Sequence, residues 1–164
     1  MAIEIRRATL DDAEAISAIW EVICAERVYT AVDRPFSPEE ERAYLASLSS
    51  REGVFVARAD DEIVAFQSLD LWARYTRAFD HVCVLGTFVL PAWRRRGVAR
   101  QLAEHTFDFA RRQGYEKSVI YVRASNTGAQ AFYQGLGFEP RGVLRRQVKI
   151  DGDYDDEVFM ELFL

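Results

Sequence analysis

Val89-Leu90-Pro91-Ala92-Trp93-Arg94-Arg95-Arg96-Gly97-Val98-Ala99 joins an apolar run to an amphipathic one. Val82 to Val89 is almost wholly apolar, the pattern of a central strand covered on both faces. From Gly97 onward, Val98, Leu102 and Phe109 fall on one helical face, and Gly114 stops the helix. The junction therefore runs from a buried strand into a helix N-terminus. Unpaired N–H groups and the helix dipole make such an end an anion site. Gly97 admits close approach to the backbone, and Ala99 crowds it little. Arg94, Arg95 and Arg96 add full positive charge beside it. The chain has no G-x-x-x-x-G-K-[ST] and no G-x-G-x-x-G after a strand, which excludes a nucleoside-triphosphate loop and a dinucleotide fold.

Upstream of this junction, Ile3-Glu4-Ile5-Arg6 alternates as a short strand. Thr9 before Asp11 and Asp12 signals a helix start, and Ile16, Ile19 and Ile23 follow at helical spacing. Glu26 to Phe36 breaks that period and reads as a loop. Ser37-Pro38-Glu39-Glu40 is a capping box with proline at the first helical position, predicting a helix to about Leu48. Val54–Ala59 and Ile63–Leu71 read as strands paired across an Asp60-Asp61 turn. Gly86, inside the apolar strand, predicts a bulge or a close backbone approach. Downstream, Val119–Val122 is a buried strand, and Asn126 caps a helix ending at Gly135 or Gly137. Phe138–Val148 and Val158–Phe163 read as strands joined by a turn at Asp151-Gly152-Asp153. The order predicts an α/β architecture: a mixed sheet with helices on both faces, in one domain over residues 1–164.

The 164 residues include 49% hydrophobic and 29% charged residues, which excludes intrinsic disorder and collagen-like repeats. No apolar run reaches the ~18–20 residues of a membrane span, and Glu4, Arg6 and Arg7 interrupt the N-terminus where a signal peptide would be apolar. The expected location is the cytoplasm. Cys24 and Cys83, both in apolar stretches, read as buried reduced thiols. The net charge of -5 argues against nucleic-acid binding, but it hides an asymmetry. Residues 1–90 carry 9 Lys/Arg against 16 Asp/Glu, residues 91–150 carry 12 against 4, and residues 151–164 carry 0 against 6. A basic block between acidic ones fits an anion held at one place.

A second segment extends the pattern: Asn126-Thr127-Gly128-Ala129-Gln130-Ala131-Phe132-Tyr133-Gln134-Gly135-Leu136-Gly137-Phe138. With it the chain resembles the GNAT family of N-acetyltransferases. The family pattern V-x-P-x-x-[RQ]-x-x-G-x-[GA] matches Val89, Pro91, Arg94, Gly97 and Ala99. After a strand, N-x-x-A-x-x-x-Y-x-x-x-G-F matches Asn126, Ala129, Tyr133, Gly137 and Phe138. The resemblance covers the whole chain in element order and is sharpest from about residue 84 to 140.

The resemblance implies about seven strands, with two central ones splayed to hold acetyl-CoA. The pyrophosphate would sit on the amides of Arg95, Arg96, Gly97, Val98 and Ala99, with Arg94 and Arg100 also near phosphate. Phe88 and Val89, at the splayed strand end, would bond the pantetheine arm and polarise the thioester carbonyl. Asn126 would contact the pantetheine or the phosphates while capping its helix. Tyr133 would protonate the departing thiolate, as a phenol near its reference pKa of ~10 can. Transfer to a primary amine would be direct, with no metal and no acetyl-cysteine on Cys83.

Many relatives carry a glutamate base on the central strand, whereas Val82 to Leu90 contains no carboxylate. Candidate replacements are His81 at the strand start and Glu26 or Asp33 in the loop after the first helix. Tyr29 and Trp72 are candidate walls of the acceptor pocket. Acidic residues on this side would attract an amine, whereas Arg74, Arg77, Arg145 or Arg146 would bind a substrate carboxylate. The expected acceptor is a small-molecule amine, an amino acid or analogue among the candidates, with a protein N-terminus, a polyamine and an antibiotic as alternatives. A non-catalytic acyl-CoA-binding domain is the competing class. A homodimer is expected by analogy with the family.

Overall fold

Central strands that are apolar on both sides need cover on both faces, and four helices supply it. The computed structural model describes residues 2–164. In chain order the elements are β1 (Ile3–Arg7), α1 (Ala13–Glu26), α2 (Pro38–Ser47), β2 (Gly53–Ala59), β3 (Glu62–Leu71), β4 (Val82–Val89), α3 (Val98–Arg112), β5 (Lys117–Arg123), α4 (Thr127–Gly135), β6 (Glu139–Ile150) and β7 (Asp153–Phe163). Short 3-10 turns at Leu10–Asp12 and Pro91–Trp93 lead into α1 and toward α3. The capping box forms as read: Ser37 Oγ accepts from the Glu40 N–H at 3.1 Å, and Glu40 accepts from the Ser37 N–H at 2.9 Å. Among the described residues no helix is long and apolar enough to cross a membrane.

The strands form one sheet in the order β1-β2-β3-β4-β5-β7-β6. One face packs Ile16, Ile19, Trp20 and Ile23 of α1 against Val54, Val56 and Phe66. The other packs Val98, Leu102 and Phe109 of α3 and Tyr133 of α4 against Leu69, Leu85 and Ile120. All neighbours pair antiparallel except β4 and β5. That parallel pair holds only at Val82↔Lys117, Cys83↔Ser118 and Val84↔Val119. Beyond it β4 stays paired with β3 up to Val89, and β5 stays with β7 up to Arg123. The sheet is therefore opened from one end like a wedge.

Two sequence expectations are corrected. Gly86 makes no bulge, because the β3–β4 register runs unbroken from Ala65↔Val89 to Leu71↔Cys83. The close-approach alternative holds: a Cβ at Gly86 would lie 3.1 Å from Ser68 Oγ and from the Phe88 ring. The last two strands are also longer than read. Asp151 and Gly152 both adopt positive φ, 53° and 86°, the two-residue hairpin turn that keeps strands paired to its edge. Six acidic or turn-forming positions, Asp151 to Asp153 and Asp155 to Glu157, hide the alternation in the sequence.

Glu52 fixes where β3 ends. It is 1% exposed, yet it accepts from the Leu71 N–H at 3.0 Å, the Ser49 N–H at 3.2 Å and Arg74 Nη2 at 2.7 Å. Burial pushes its carboxyl up, but those donors outweigh it and hold the group below its usual range. Glu52→Ala leaves two backbone N–H groups and Arg74 without their acceptor, and should cost about 3 kcal/mol. A lowered folded pKa contributes stability at higher pH, which is lost as the pH falls. Urea denaturation should therefore show the two proteins well separated at pH 7, with the gap shrinking below the ordinary carboxyl value of 4.5.

Candidate active site

The wedge exposes backbone that a sheet would normally pair. Antiparallel ladders alternate the direction of their hydrogen bonds. The Trp72 N–H donates to the Val82 carbonyl at 3.0 Å, and the Leu90 N–H to the Val64 carbonyl at 3.0 Å. Even-numbered residues of β4 thus face β3, and odd-numbered ones face the gap beside β5. Thr87 and Val89 present their N–H groups to that gap. The expectation for Phe88 is corrected: its backbone belongs to the β3 ladder opposite Phe66. Its ring packs on Trp20, at 4.4 Å between centroids, and on Phe66, at 5.0 Å.

At the open end stands the helix N-terminus. Arg95 and Gly97 both take positive φ, 60° and 83°, curling the backbone so that its N–H groups converge. Gly97 is the N-cap of α3 and brings no capping side chain. The first protein-bonded amide is that of Gln101, which reaches the Gly97 carbonyl at 3.1 Å. Among the described residues the N–H groups of Arg95, Arg96, Gly97, Val98 and Ala99 have no protein acceptor. Five converging donors fit a diphosphate, and Arg95 and Arg96 lie exposed beside them. Arg96 also lies over the Trp93 ring, at 4.6 Å.

Arg94 does something else. Its guanidinium forks onto Glu26 at 2.8 and 2.6 Å, its Nε donates to the Val89 carbonyl at 3.0 Å, and it lies 4.3 Å above the Tyr29 ring. The carboxylate at the end of α1 engages both terminal nitrogens of this arginine. Arg94 thus braces the turn, and Glu26 is held in that ion pair rather than standing free as a base.

Asn126 caps α4, its side-chain oxygen accepting from the Ala129 N–H at 3.1 Å. That leaves its side-chain NH2 for a ligand. Tyr133 is buried in the wedge, its hydroxyl 2.7 Å from Thr87 Oγ1. Gln67 Nε2 donates to the same Oγ1 at 2.8 Å. Gln67 is fully buried and its Oε1 has no partner, an acceptor that a bound amide chain could satisfy. Burial pushes the Tyr133 phenol up to about 12, against the pull of Thr87. It is therefore fully protonated at neutral pH. Thr87 and Gln67 escaped the sequence reading. The only signal was a polar residue inside each apolar run.

His81 is exposed at the paired end of β4, where its carbonyl accepts from Glu116 and Lys117 N–H groups. The strand carries it away from the opening, which corrects its role as a base. Asp33 is exposed, and its carbonyl accepts from Arg27 at 2.5 Å. Trp72 is brought to the site's second face. Its ring stacks on Tyr121 at 5.7 Å, and Tyr121 meets Phe159 edge-on at 4.6 Å. A hollow of about 310 Å³ lined by Trp72, Val82, Lys117, Val119, Arg141 and Phe159 lies there, at the end where β4 and β5 are still paired. The cysteine expectation agrees with the burial: Cys83 is fully buried, and desolvation pushes its thiol up to about 11.

A Gly97→Glu variant tests the cradle. No atom lies within 4 Å of a Cβ there, so the fold cost is the positive φ alone, about 1–2 kcal/mol. The added carboxylate would face the five N–H groups. Calorimetry with coenzyme A should show affinity falling about 100-fold or more, about 3 kcal/mol. Unchanged affinity would remove the diphosphate from this turn.

The Acetyltransferase (GNAT) family profile matches residues 17–138. The chain is 28% identical over 125 residues to a [Ribosomal protein bS18]-alanine N-acetyltransferase of Salmonella typhimurium, covering 76% of this chain and 80% of that protein. It is 32% identical over 124 residues to the N-alpha-acetyltransferase RimI of Mycobacterium tuberculosis, covering 73% and 72%. Its fold superposes at a TM-score of 0.91 on a GNAT superfamily phosphinothricin acetyltransferase from Sinorhizobium meliloti in complex with AcCoA, at 19% identity and covering 100% and 89% of the two chains. A wedge between parallel strands, a free helix N-terminus beside it and the matched sequence together make this chain an enzyme of the GNAT family of N-acetyltransferases.

Proposed function

We propose that the protein transfers the acetyl group of acetyl-CoA directly to the primary amine of a small molecule. One observation carries the reading: the cradle and Tyr133 lie on one side of the opened sheet, and an acidic, aromatic-rich face lies on the other. Asp70, Tyr121, Glu157 and Phe159 share that second face with Val84. Carboxylates and aromatic rings suit an acceptor that arrives as an ammonium. The loop after α1 narrows the approach. Arg123 holds it down, donating to the Arg27 carbonyl at 2.6 Å and the Thr30 carbonyl at 3.3 Å while Asp155 accepts from its Nε at 2.9 Å. A strapped entrance favours a small acceptor over a folded partner.

In this reading Arg95 to Ala99 bind the diphosphate, and the Val89 amide donates to the thioester oxygen as charge develops. Tyr133 protonates the departing sulfur. The thiolate leaves into the same dry cleft, so desolvation raises its proton affinity along with that of the phenol. Thr87 orients the hydroxyl. Of the arginines expected to bind a substrate carboxylate, Arg74 pairs with Glu52, Arg145 with Asp156 and Arg77 with Asp80, while Arg146 lies over the Tyr154 ring at 4.0 Å. An amino acid or analogue stays within the class, since its amine is what the acidic face recognises. The ribosomal-protein relatives favour a second reading, the N-terminal alanine of a protein.

Thiol release from acetyl-CoA separates the readings. Free amino acids, phosphinothricin, a diamine and a short peptide beginning with alanine serve as acceptors. The proposal expects turnover with a free small amine, and turnover with the peptide alone would select the second reading. Tyr133→Phe should lower kcat by about 10²-fold or more while coenzyme A affinity stays within about threefold. An unchanged kcat would remove the phenol from proton transfer.

A further inference from the structure

β4 lacks the carboxylate that many N-acetyltransferases of this fold use to deprotonate the amine, and the neighbouring strand supplies one. Asp70 pairs directly with Val84 in the β3–β4 ladder, so their side chains share a face about 5 Å apart. Val84 is also the last β4 residue paired with β5. Asp70 therefore stands one strand from the point where the sheet opens. Side chains alternate across strands. Tyr133 and Thr87 lie on the α3 side with Leu85, and Asp70 lies on the α1 side with Val84, Gly86 and Phe88. Ser68, Asp70, Val84, Gly86 and Phe88 on the α1 side are partly solvent-accessible, as are Thr87 and Val89 at the open end of the other.

We propose that Asp70 is the general base of the reaction, held in place by Tyr44. This rests on the transferase reading above. The Tyr44 hydroxyl donates to Asp70 Oδ1 at 2.7 Å, which leaves Oδ2 for the acceptor. Asp70 removes one proton from the ammonium through bridging water, since Val84 stands three residues, about 10 Å of strand, from Thr87 and the Tyr133 hydroxyl. The neutral nitrogen attacks the carbonyl carbon, the C–N bond forms and the C–S bond breaks. The thiolate takes the Tyr133 proton, and the second proton lost by nitrogen restores Tyr133. One proton leaves per turnover through Asp70. Acid and base thus act from opposite faces of one sheet.

The surroundings tune Asp70 toward this task. Burial raises its affinity for a proton, the Tyr44 hydroxyl opposes that, Glu52 adds to it and Arg74 opposes it. Glu41, on α2 behind Tyr44, is 3% exposed, and burial pushes it up to about 7. Glu41 therefore adds little negative charge beside Asp70 below neutral pH. Tyr44 itself is driven well above the phenol range, mainly by burial and then by Asp70, so it stays a donor.

Asp70→Asn keeps the size and the bond from Tyr44. It should lower kcat about 10²–10⁴-fold with a primary amine that is protonated at pH 7. Hydroxylamine is already neutral at pH 7 and needs no base, so its acetylation should change by less than about threefold. Equal loss with both nucleophiles, or retained amine turnover, would overturn Asp70 as the base. A wild-type enzyme that acetylates neither nucleophile while binding acetyl-CoA would overturn the transferase reading itself. Tyr44→Phe gives an independent readout, because it removes a bond that favours ionised Asp70. The acidic limb of kcat/KM should move to higher pH with a nearly unchanged plateau, and an unmoved limb would take Asp70 out of the proton path.

Discussion

The loss of pairing between β4 and β5 after Val84 and Val119 is the constraint on which the site depends. A parallel pair left open exposes N–H and C=O groups that a buried sheet cannot leave unsatisfied without cost. The structure tolerates the gap because each strand keeps its outer partner. β3 holds β4 along its whole length, and β7 holds β5. The opening is thus a rigid slot with polar edges rather than a frayed sheet. An extended amide chain is the natural ligand for such edges, since it can bond to them as a strand would.

Two braces keep the slot's mouth in shape. Arg94 ties the β4–α3 turn to Glu26 at the end of α1 and to the Val89 carbonyl. Arg123 ties the end of β5 to the loop after α1 and to Asp155 of β7. Each joins one wall of the wedge to the loop that crosses it. Both guanidiniums are mostly buried, with side-chain exposures of 25% and 13%, so screening by water is limited. A fork with two fixed bonds positions a backbone better than a flexible lysine would, and this chain uses arginine at both points.

The fold and the cofactor end of the site were legible in the sequence because their signals are local. Val89, Gly97 and Ala99 lie within one turn and the helix it starts, and Asn126 to Phe138 form another contiguous unit. Capping, helical period and glycine conformation all act over a few residues, so spacing alone exposes them. The acceptor end was not legible in the same way. Gln67, Thr87 and Asp70 each appear in the sequence as a polar residue in an apolar strand, which by itself is compatible with a satisfied core position. Glu26 appeared there as a candidate base, and Arg94 as a phosphate ligand. Nothing in the spacing says that residues 68 positions apart will neutralise each other.

By itself, then, the amino-acid sequence determined the element order, the glycine turn that opens α3 and the place of Tyr133 on α4. These follow from hydrogen bonds and dihedral preferences between near neighbours. Only the tertiary structure decided which arginines lie exposed beside the α3 N-terminus and which braces a loop, and which backbone amides face the gap. It also set Asp70 beside Val84. Those outcomes depend on strand register. A shift of one residue in the β3–β4 ladder would turn Asp70 away from Val84 and onto the other face of the sheet.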